Sequence, residues 1–292
     1  MKSSGPLLLA ANHPNSFLDA IILCTLFDRP VYSLARGDAF KNKIAAAILY
    51  RLKMLPVYRV SEGVENLDEN YKTFEACKNI FKQNGIVLIF SEGRCINEWH
   101  LRPLKKGTAR LAISSWEDGI DLKVLPVGIN YNSFKKMGKN VKLFFGEPIT
   151  ESSNDFKDSH GKSIKAFNDS LEGQLKPFVF EIAGDDKQKL GQHFFVVQPL
   201  LKKILLVIPA LTGLLIHAPL YYLLRFLNKK MVREQGHFDS VMVGLLLLGY
   251  PLFLVLVTVI AFGFTGSWYS LLLLLLLPFT AWAYIQLKPQ LD

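Results

Sequence analysis

The sequence is poor in cysteine. Only Cys24, Cys77 and Cys95 occur among its 292 residues, and they lie far apart without a Cys-x-x-Cys pair. This spacing indicates neither a disulfide framework nor a zinc site. It is consistent with a soluble part that faces a reducing compartment.

Charge is absent from two long stretches near the C-terminal end, residues 241–264 and 268–285. Each has the roughly 20 residues that a helix needs to cross about 30 Å of hydrocarbon. Aromatic side chains of the kind found at membrane interfaces flank or end the second stretch: Trp268, Tyr269, Trp282 and Tyr284. We predict that both stretches are transmembrane helices in a membrane region over 204–292.

A third apolar run, residues 204–227, is interrupted by Pro209, His217 and Pro219. Basic residues flank it and follow the last stretch: Lys202, Lys203, Lys229, Lys230, Arg233 and Lys288. Because positive charge favours the cytoplasmic side, both flanks of this run are predicted to lie there. The pattern favours a re-entrant or interfacial hairpin over 204–227, and a third crossing stays open.

Acidic residues are fewer than basic ones: the chain has 25 Asp and Glu against 34 Lys and Arg, which gives a net charge of +9. An excess of positive charge suits a protein that contacts anionic lipids and binds phosphorylated substrates. Nucleic acid is excluded as a partner, because the chain has no helix-turn-helix, zinc-finger or RNA-binding signature and two predicted spans confine it to a membrane.

Residues 1–182 alternate between apolar runs and amphipathic segments, a pattern typical of an α/β domain with a mostly parallel sheet flanked by helices. Residues 183–203 are predicted to be a linker. Strands are predicted at 6–11, 31–36, 86–90, 123–129 and 141–146. Helices are predicted at 17–27, 39–54, 65–82, 108–116 and 164–182.

The segment NHPNSFLD, residues 12–19, follows the first predicted strand and holds His13 and Asp19. Ser16 followed three residues later by Asp19 also matches a capping box, in which Asp19 only stabilises a helix. A neutral histidine can instead take a proton from an alcohol while a carboxylate fixes its tautomer. We expect both roles, with Ser16 beginning the helix and Asp19 serving His13.

No Gly-x-Ser-x-Gly nucleophile elbow occurs, so the substrate is expected to supply the attacking hydroxyl. Each basic residue near the other strand ends is, by itself, typical of a solvated surface charge. Together they are candidates for holding a phosphate: Arg59, Arg94, Arg102, Lys105 and Lys106.

Four segments, NHPNSFLD, LPVYR, FSEG and VLPVGI, occur in the order of the four motifs of the glycerolipid acyltransferases, which acylate glycerol-3-phosphate and lysophosphatidic acid. The chain resembles this family over about residues 7–148. The resemblance implies that His13 is the general base and Asp19 its partner. It implies that Arg59, Glu92 and Gly93 bind the glycerophosphate and that Pro126 belongs to the fourth motif. Asn12, beside His13, is a further candidate for substrate binding.

Two features depart from the family pattern. Five residues, not the usual four, separate His13 from Asp19, and the extra residue must be absorbed in the turn 14–16 if the two side chains are to meet. The longer spacing resembles that of the yeast-type branch acting on glycerol-3-phosphate or dihydroxyacetone phosphate. In FSEGRCI, Arg94 stands one position earlier than the family arginine, and Cys95 takes its usual position.

The sequence thus predicts a multi-pass membrane O-acyltransferase of phospholipid biosynthesis, with its catalytic domain on the cytoplasmic face. Acyl-CoA or acyl carrier protein would be the acyl donor, and no metal or other cofactor is expected. Acceptors other than glycerol-3-phosphate or lysophosphatidic acid, such as another lysophospholipid or an aminoacyl lipid, stay open. So do a metal-dependent hydrolase that uses His13, Asp19 and Glu92 as ligands and a catalytically silent membrane adaptor.

Overall fold

The computed structural model describes residues 4–58, 67–153, 160–184, 186–232 and 235–288. A six-stranded sheet forms the centre of the N-terminal part, in the order β3-β2-β4-β1-β5-β6. The strands are β1 (Leu7–Ala11), β2 (Val31–Arg36), β3 (Met54–Val57), β4 (Ile86–Phe90), β5 (Lys123–Tyr131) and β6 (Val141–Phe145). The pairs β1–β4, β1–β5, β2–β3 and β2–β4 are parallel, which confirms the predicted mostly parallel α/β fold.

The central strands are apolar along their whole length because helices cover both faces of the sheet. All five residues of β1 are buried, as are four of the five in β4. The helices of this part are α1 (Phe17–Cys24), α2 (Lys43–Arg51), α3 (Leu67–Lys82), α4 (Lys106–Glu117) and α5 (His160–Leu175). The core between helices and sheet is built around Leu8, Phe81 and Phe167.

The region of the second predicted helix differs from its prediction over 39–54. A 3₁₀ turn (Gly37–Phe40) comes first, and α2 then begins where the Asn42 side chain accepts hydrogen bonds from the N–H groups of Ile44 and Ala45. The helix ends early because Lys53 adopts a left-handed φ of 60°. The chain then forms β3, an edge strand that apolar periodicity alone did not separate from the helix.

The C-terminal part contains α6 (Lys187–Phe194), α7 (Leu200–Met231), α8 (Phe238–Thr265) and α9 (Leu273–Leu287). Among the described residues, three segments are long and apolar enough to span a membrane: Leu200–Met231, Phe238–Thr265 and Trp268–Leu287.

Over the hairpin predicted at 204–227 the structure has one helix of 32 residues, α7, which contains both Pro209 and Pro219. The hairpin, as a way of entering the membrane, stays a prediction. A proline removes only one helical hydrogen bond, whereas an open turn in hydrocarbon would leave several backbone groups without partners. The helix passes close to α9 at Gly213, where an added Cβ would lie 2.2 Å from the carbonyl oxygen of Thr280. Small residues of this kind let membrane helices pack backbone to backbone.

The chain divides into two compact units, residues 1–130 with 142–181 and residues 131–141 with 182–292. The second unit therefore includes the loop between β5 and β6. Lys139 in that loop forms a 2.7 Å ion pair with Asp239 at the start of α8, and the two side chains are only 8% and 7% exposed. The Lys288 ammonium also donates to the carbonyl of Met137. Residues 187–194, within the predicted linker, are helical.

Candidate active site

The turns after β1 and β4 leave the sheet side by side. Ala11, the last residue of β1, pairs with Phe90, the last of β4, so the segments that begin at Asn12 and Ser91 emerge at the same level of the carboxyl edge. The Asn12 side chain is buried and continues the pairing with β5, because its amide donates to the carbonyl of Ile129 (3.0 Å) and accepts from the Ile129 N–H (2.7 Å). This geometry fixes the start of the turn that carries His13.

His13 and Asp19 meet despite the longer spacing between them. His13 Nδ1 lies 2.9 Å from Asp19 Oδ2, and the same oxygen accepts a 2.8 Å hydrogen bond from the Asn15 N–H. Asp19 is fully buried, whereas the His13 side chain is 16% exposed. No described residue hydrogen-bonds to His13 Nε2. The ring therefore has one nitrogen held by a carboxylate and the other open.

The extra residue is accommodated at Ser16, as the spacing requires. Ser16 has φ 52° and ψ −134°, a conformation close to the glycine-favoured position of a type II′ turn. Ser16 stands at the N-cap of α1, but its side chain makes no capping hydrogen bond, so the predicted capping box is wrong in detail. Asp19 reaches back to the N–H of Asn15 instead.

Two neighbours of this turn were not assigned a role from the sequence. The Phe90 ring stacks on the His13 ring with centroids 3.8 Å apart and planes 9° from parallel, which holds the imidazole plane. The Cys95 sulfur accepts a 2.9 Å hydrogen bond from the Ser16 N–H, at the residue that absorbs the insertion. The first contact could have been inferred from Phe90, the first residue of the segment FSEG, and the second from Cys95, which takes the position of the family arginine.

Glu92 braces the turn from the side of β4. Its carboxylate accepts from the N–H groups of His13 (2.7 Å) and Arg102 (2.9 Å), one on each oxygen. Burial raises the pKa of Glu92, and the two N–H donors and the nearby charges of Arg102 and His13 oppose that shift. Both oxygens are thus engaged by backbone groups, and the assignment of Glu92 to substrate binding stays a prediction.

The loop between β4 and α4 is anchored at its far end by Glu181. One Glu181 oxygen accepts from the Leu101 N–H (3.1 Å), and the other lies 2.5 Å from His100 Nδ1. The hydrogen bond with Glu181 raises the pKa of His100. Since Arg102 follows directly, the anchor holds the N–H that Glu92 accepts.

The predicted phosphate ligands have different surroundings. Arg94, Lys105 and Lys106 are exposed near the start of α4 and form no ion pair with a described residue. Arg102 pairs with Glu98 at 2.8 Å. Arg59 lies outside the described residues. The structure therefore brings three free cations to the edge of the sheet where His13 lies.

Gly93 and Pro126 occupy fixed backbone positions. Gly93 has a left-handed φ of 65°, and an added Cβ would lie 3.0 Å from Lys105 Cγ, so the glycine lets the loop and the start of α4 approach. Pro126 is buried in β5, paired with Ala10 of β1 and thus one residue behind the end of that strand. It lies inside the sheet, not on an edge strand. Their roles in substrate binding stay predictions.

A histidine held by a buried carboxylate, with its other nitrogen open at the carboxyl edge of a parallel sheet, defines a site suited to activating a hydroxyl group. Residues 1–130 match the family model described as Acyltransferase. The match covers all four segments that resemble the motifs of the glycerolipid acyltransferases. Comparison with curated proteins finds no match. The chain thus combines an acyltransferase domain with three helices long and apolar enough to span a membrane.

Substitution Glu92→Gln is expected to lower the stability of the protein. The amide offers an acceptor to only one of the two part-buried N–H groups, and the other loses its partner at a cost of about 1–3 kcal/mol. The midpoint of thermal unfolding of the purified protein measures this. Glu98→Gln is the matched control, because it removes a half-exposed carboxylate from the same loop and should change the midpoint far less. Equal unfolding midpoints for the two variants would refute the stabilising role of the Glu92 hydrogen bonds.

Proposed function

We propose that this protein is a membrane-bound O-acyltransferase of phospholipid biosynthesis. It transfers a fatty acyl group from the thioester of coenzyme A or acyl carrier protein to a hydroxyl of glycerol-3-phosphate or lysophosphatidic acid. The hydrogen bond between His13 Nδ1 and Asp19 Oδ2 carries the proposal, because it leaves Nε2 open at the sheet edge. The family of residues 1–130 supports the acyl transfer itself.

The proposed step begins with the neutral imidazole. Asp19 Oδ2 also accepts from the Asn15 N–H, so it acts as an acceptor, and His13 donates its Nδ1–H to it. The lone pair on Nε2 then removes the proton of the acceptor hydroxyl as the oxygen attacks the thioester carbonyl, and Asp19 stabilises the imidazolium that forms. The carbon–sulfur bond breaks, and the thiolate leaves with the proton from Nε2. No metal, redox cofactor or acyl-enzyme takes part in this proposal.

His13→Ala is expected to reduce turnover by about 10² to 10⁴, the scale for loss of a general base, without unfolding the domain. The assay offers labelled acyl-CoA to the purified protein with glycerol-3-phosphate or lysophosphatidic acid in separate reactions and identifies the product. His193→Ala, in the second unit, is the control and should keep full activity. Full activity of the His13 variant would refute the catalytic role. Loss of activity on addition of a chelator would favour the metal-dependent hydrolase instead.

We propose that the phosphate of the acceptor binds to Arg59 and to the exposed cations Arg94, Lys105 and Lys106. Charge-assisted hydrogen bonds contribute about 1.5–3 kcal/mol, so Arg59→Ala or Lys106→Ala should raise the KM for the acceptor by roughly tenfold or more and change kcat less. Lys82→Ala is the control, because Lys82 ends α3 at the opposite edge of the sheet, just before β4 begins. An unchanged KM in both test variants would move the phosphate site elsewhere.

We further propose that the acyltransferase domain faces the cytoplasm, because Lys202 and Lys203 lie at the start of α7, the helix nearest to it in sequence. A membrane-impermeant maleimide should label Lys82→Cys in permeabilised cells but not in intact ones, beyond the labelling of the parent chain. Labelling in intact cells would place the domain on the other side.

A further inference from the structure

Helix α2 presents an apolar face to solvent. Ile44 and Ile48, one helical turn apart, are 74% and 54% exposed, and Leu52 just beyond the helix is 55% exposed. No residue of this nine-residue helix is buried. Together with Ala47, the two isoleucines line a shallow open groove whose ends are formed by Lys43 and Arg51. Adjacent exposed apolar side chains on one helix face make this groove a candidate binding surface.

The charge around this face has one sign. Residues 41–53 contain four basic residues and no acidic one. They lie at both ends of the apolar face and are all exposed: Lys41, Lys43, Arg51 and Lys53. Lys41, Lys43 and Arg51 form no ion pair with a described residue. A short helix with apolar side chains between unpaired cations is typical of segments that lie in the surface of an anionic membrane.

We propose that α2, with its flanking basic residues, is a membrane-surface helix that binds an anionic lipid bilayer through Ile44 and Ile48. The helix is far too short to span hydrocarbon, at about 1.5 Å per residue over nine residues, so it lies in the interface. Its isoleucines enter the boundary between headgroups and acyl chains, and its cations contact lipid phosphates.

Two other occupants fit the face less well. A second copy of the chain, docked face to face, would bring the same four cations opposite each other. An acidic protein would match the charge, but it would have to compete with a bilayer that the three candidate spans keep next to this protein at high effective concentration.

The position of α2 in the fold adds a reason for this contact. Helix α2 begins just after the carboxyl end of β2, and β2 is separated from β1 by one strand of the parallel sheet. With strands about 4.8 Å apart, the carboxyl end of β2, from which the chain leads through the 3₁₀ turn into α2, lies along the same edge as the His13 turn, roughly 10 Å away in the direction across the sheet. A bilayer held at α2 therefore lies beside the edge from which the site opens.

The test uses the full-length protein in lipid nanodiscs, with Cys24 and Cys95 replaced by serine and the fully buried Cys77 retained. An NBD fluorophore is attached to Ala47→Cys, which keeps both isoleucines. The control carries it on Tyr71→Cys of α3, a side chain 74% exposed like that of Ile44. Nitroxide-labelled lipid then reports contact with the bilayer. We expect strong quenching at position 47 and little at position 71 in phosphatidylglycerol discs, with a loss of quenching at position 47 in pure phosphatidylcholine.

Two further variants separate the contribution of the apolar side chains to membrane contact from that of the basic ones. Ile44→Ser with Ile48→Ser, and separately Lys43→Gln with Arg51→Gln, should each remove most of the quenching at position 47. All four side chains are exposed, so the fold should tolerate these changes, and the thermal unfolding midpoint checks this. Equal quenching at positions 47 and 71, or quenching that survives both double substitutions, would overturn the proposal. A blue shift of NBD without nitroxide quenching would also overturn it and assign the face to a protein partner. None of these readouts depends on catalysis.

Discussion

Two buried carboxylates, not one, hold the turn that carries the candidate base. Asp19 accepts from His13 Nδ1 and from the Asn15 N–H, while Glu92 accepts from the His13 N–H and ties it to the loop after β4. Burying a carboxylate is costly unless it is hydrogen-bonded, and each of these two carboxylates is held by two nitrogen donors. The turn therefore cannot move away from either carboxylate without straining its hydrogen bonds to the other. The imidazole is positioned before any substrate arrives.

This rigidity explains how an inserted residue is compatible with an intact pair. The conformation of Ser16 carries a cost of order 1–3 kcal/mol, and such a conformation persists only when its surroundings over-determine it. Here the hydrogen bond from its N–H to Cys95 and the fully buried Asp19 supply that constraint. The two departures from the family pattern, the longer spacing and the cysteine after Arg94, are therefore in direct contact with each other.

Most of the sheet was predictable, because short, fully apolar runs such as β1 and β4 are typical of buried strands in a parallel sheet. The positions of His13 and Asp19 in one turn also followed from the motif. The edge strand β3 did not, since four residues at a sheet edge leave no distinct apolar period and the end of α2 depends on the left-handed Lys53. The continuity of α7 was also missed, because prolines that break helices in water are tolerated where no water can replace the helical bonds. The stacking of Phe90 on His13 required the register of β1 against β4, which no local pattern reveals.

The division of the chain into units has a consequence for isolating the catalytic part. The polypeptide passes from one unit to the other three times, after Asn130, after Val141 and after Glu181. A truncation at residue 182 would remove Asp239 and Lys288 while retaining the loop 131–141 that they contact. Lys139, now nearly buried, would lose its ion pair with Asp239, and Met137 would lose its donor. A soluble fragment therefore needs a redesigned loop between β5 and β6 as well as a new C-terminus.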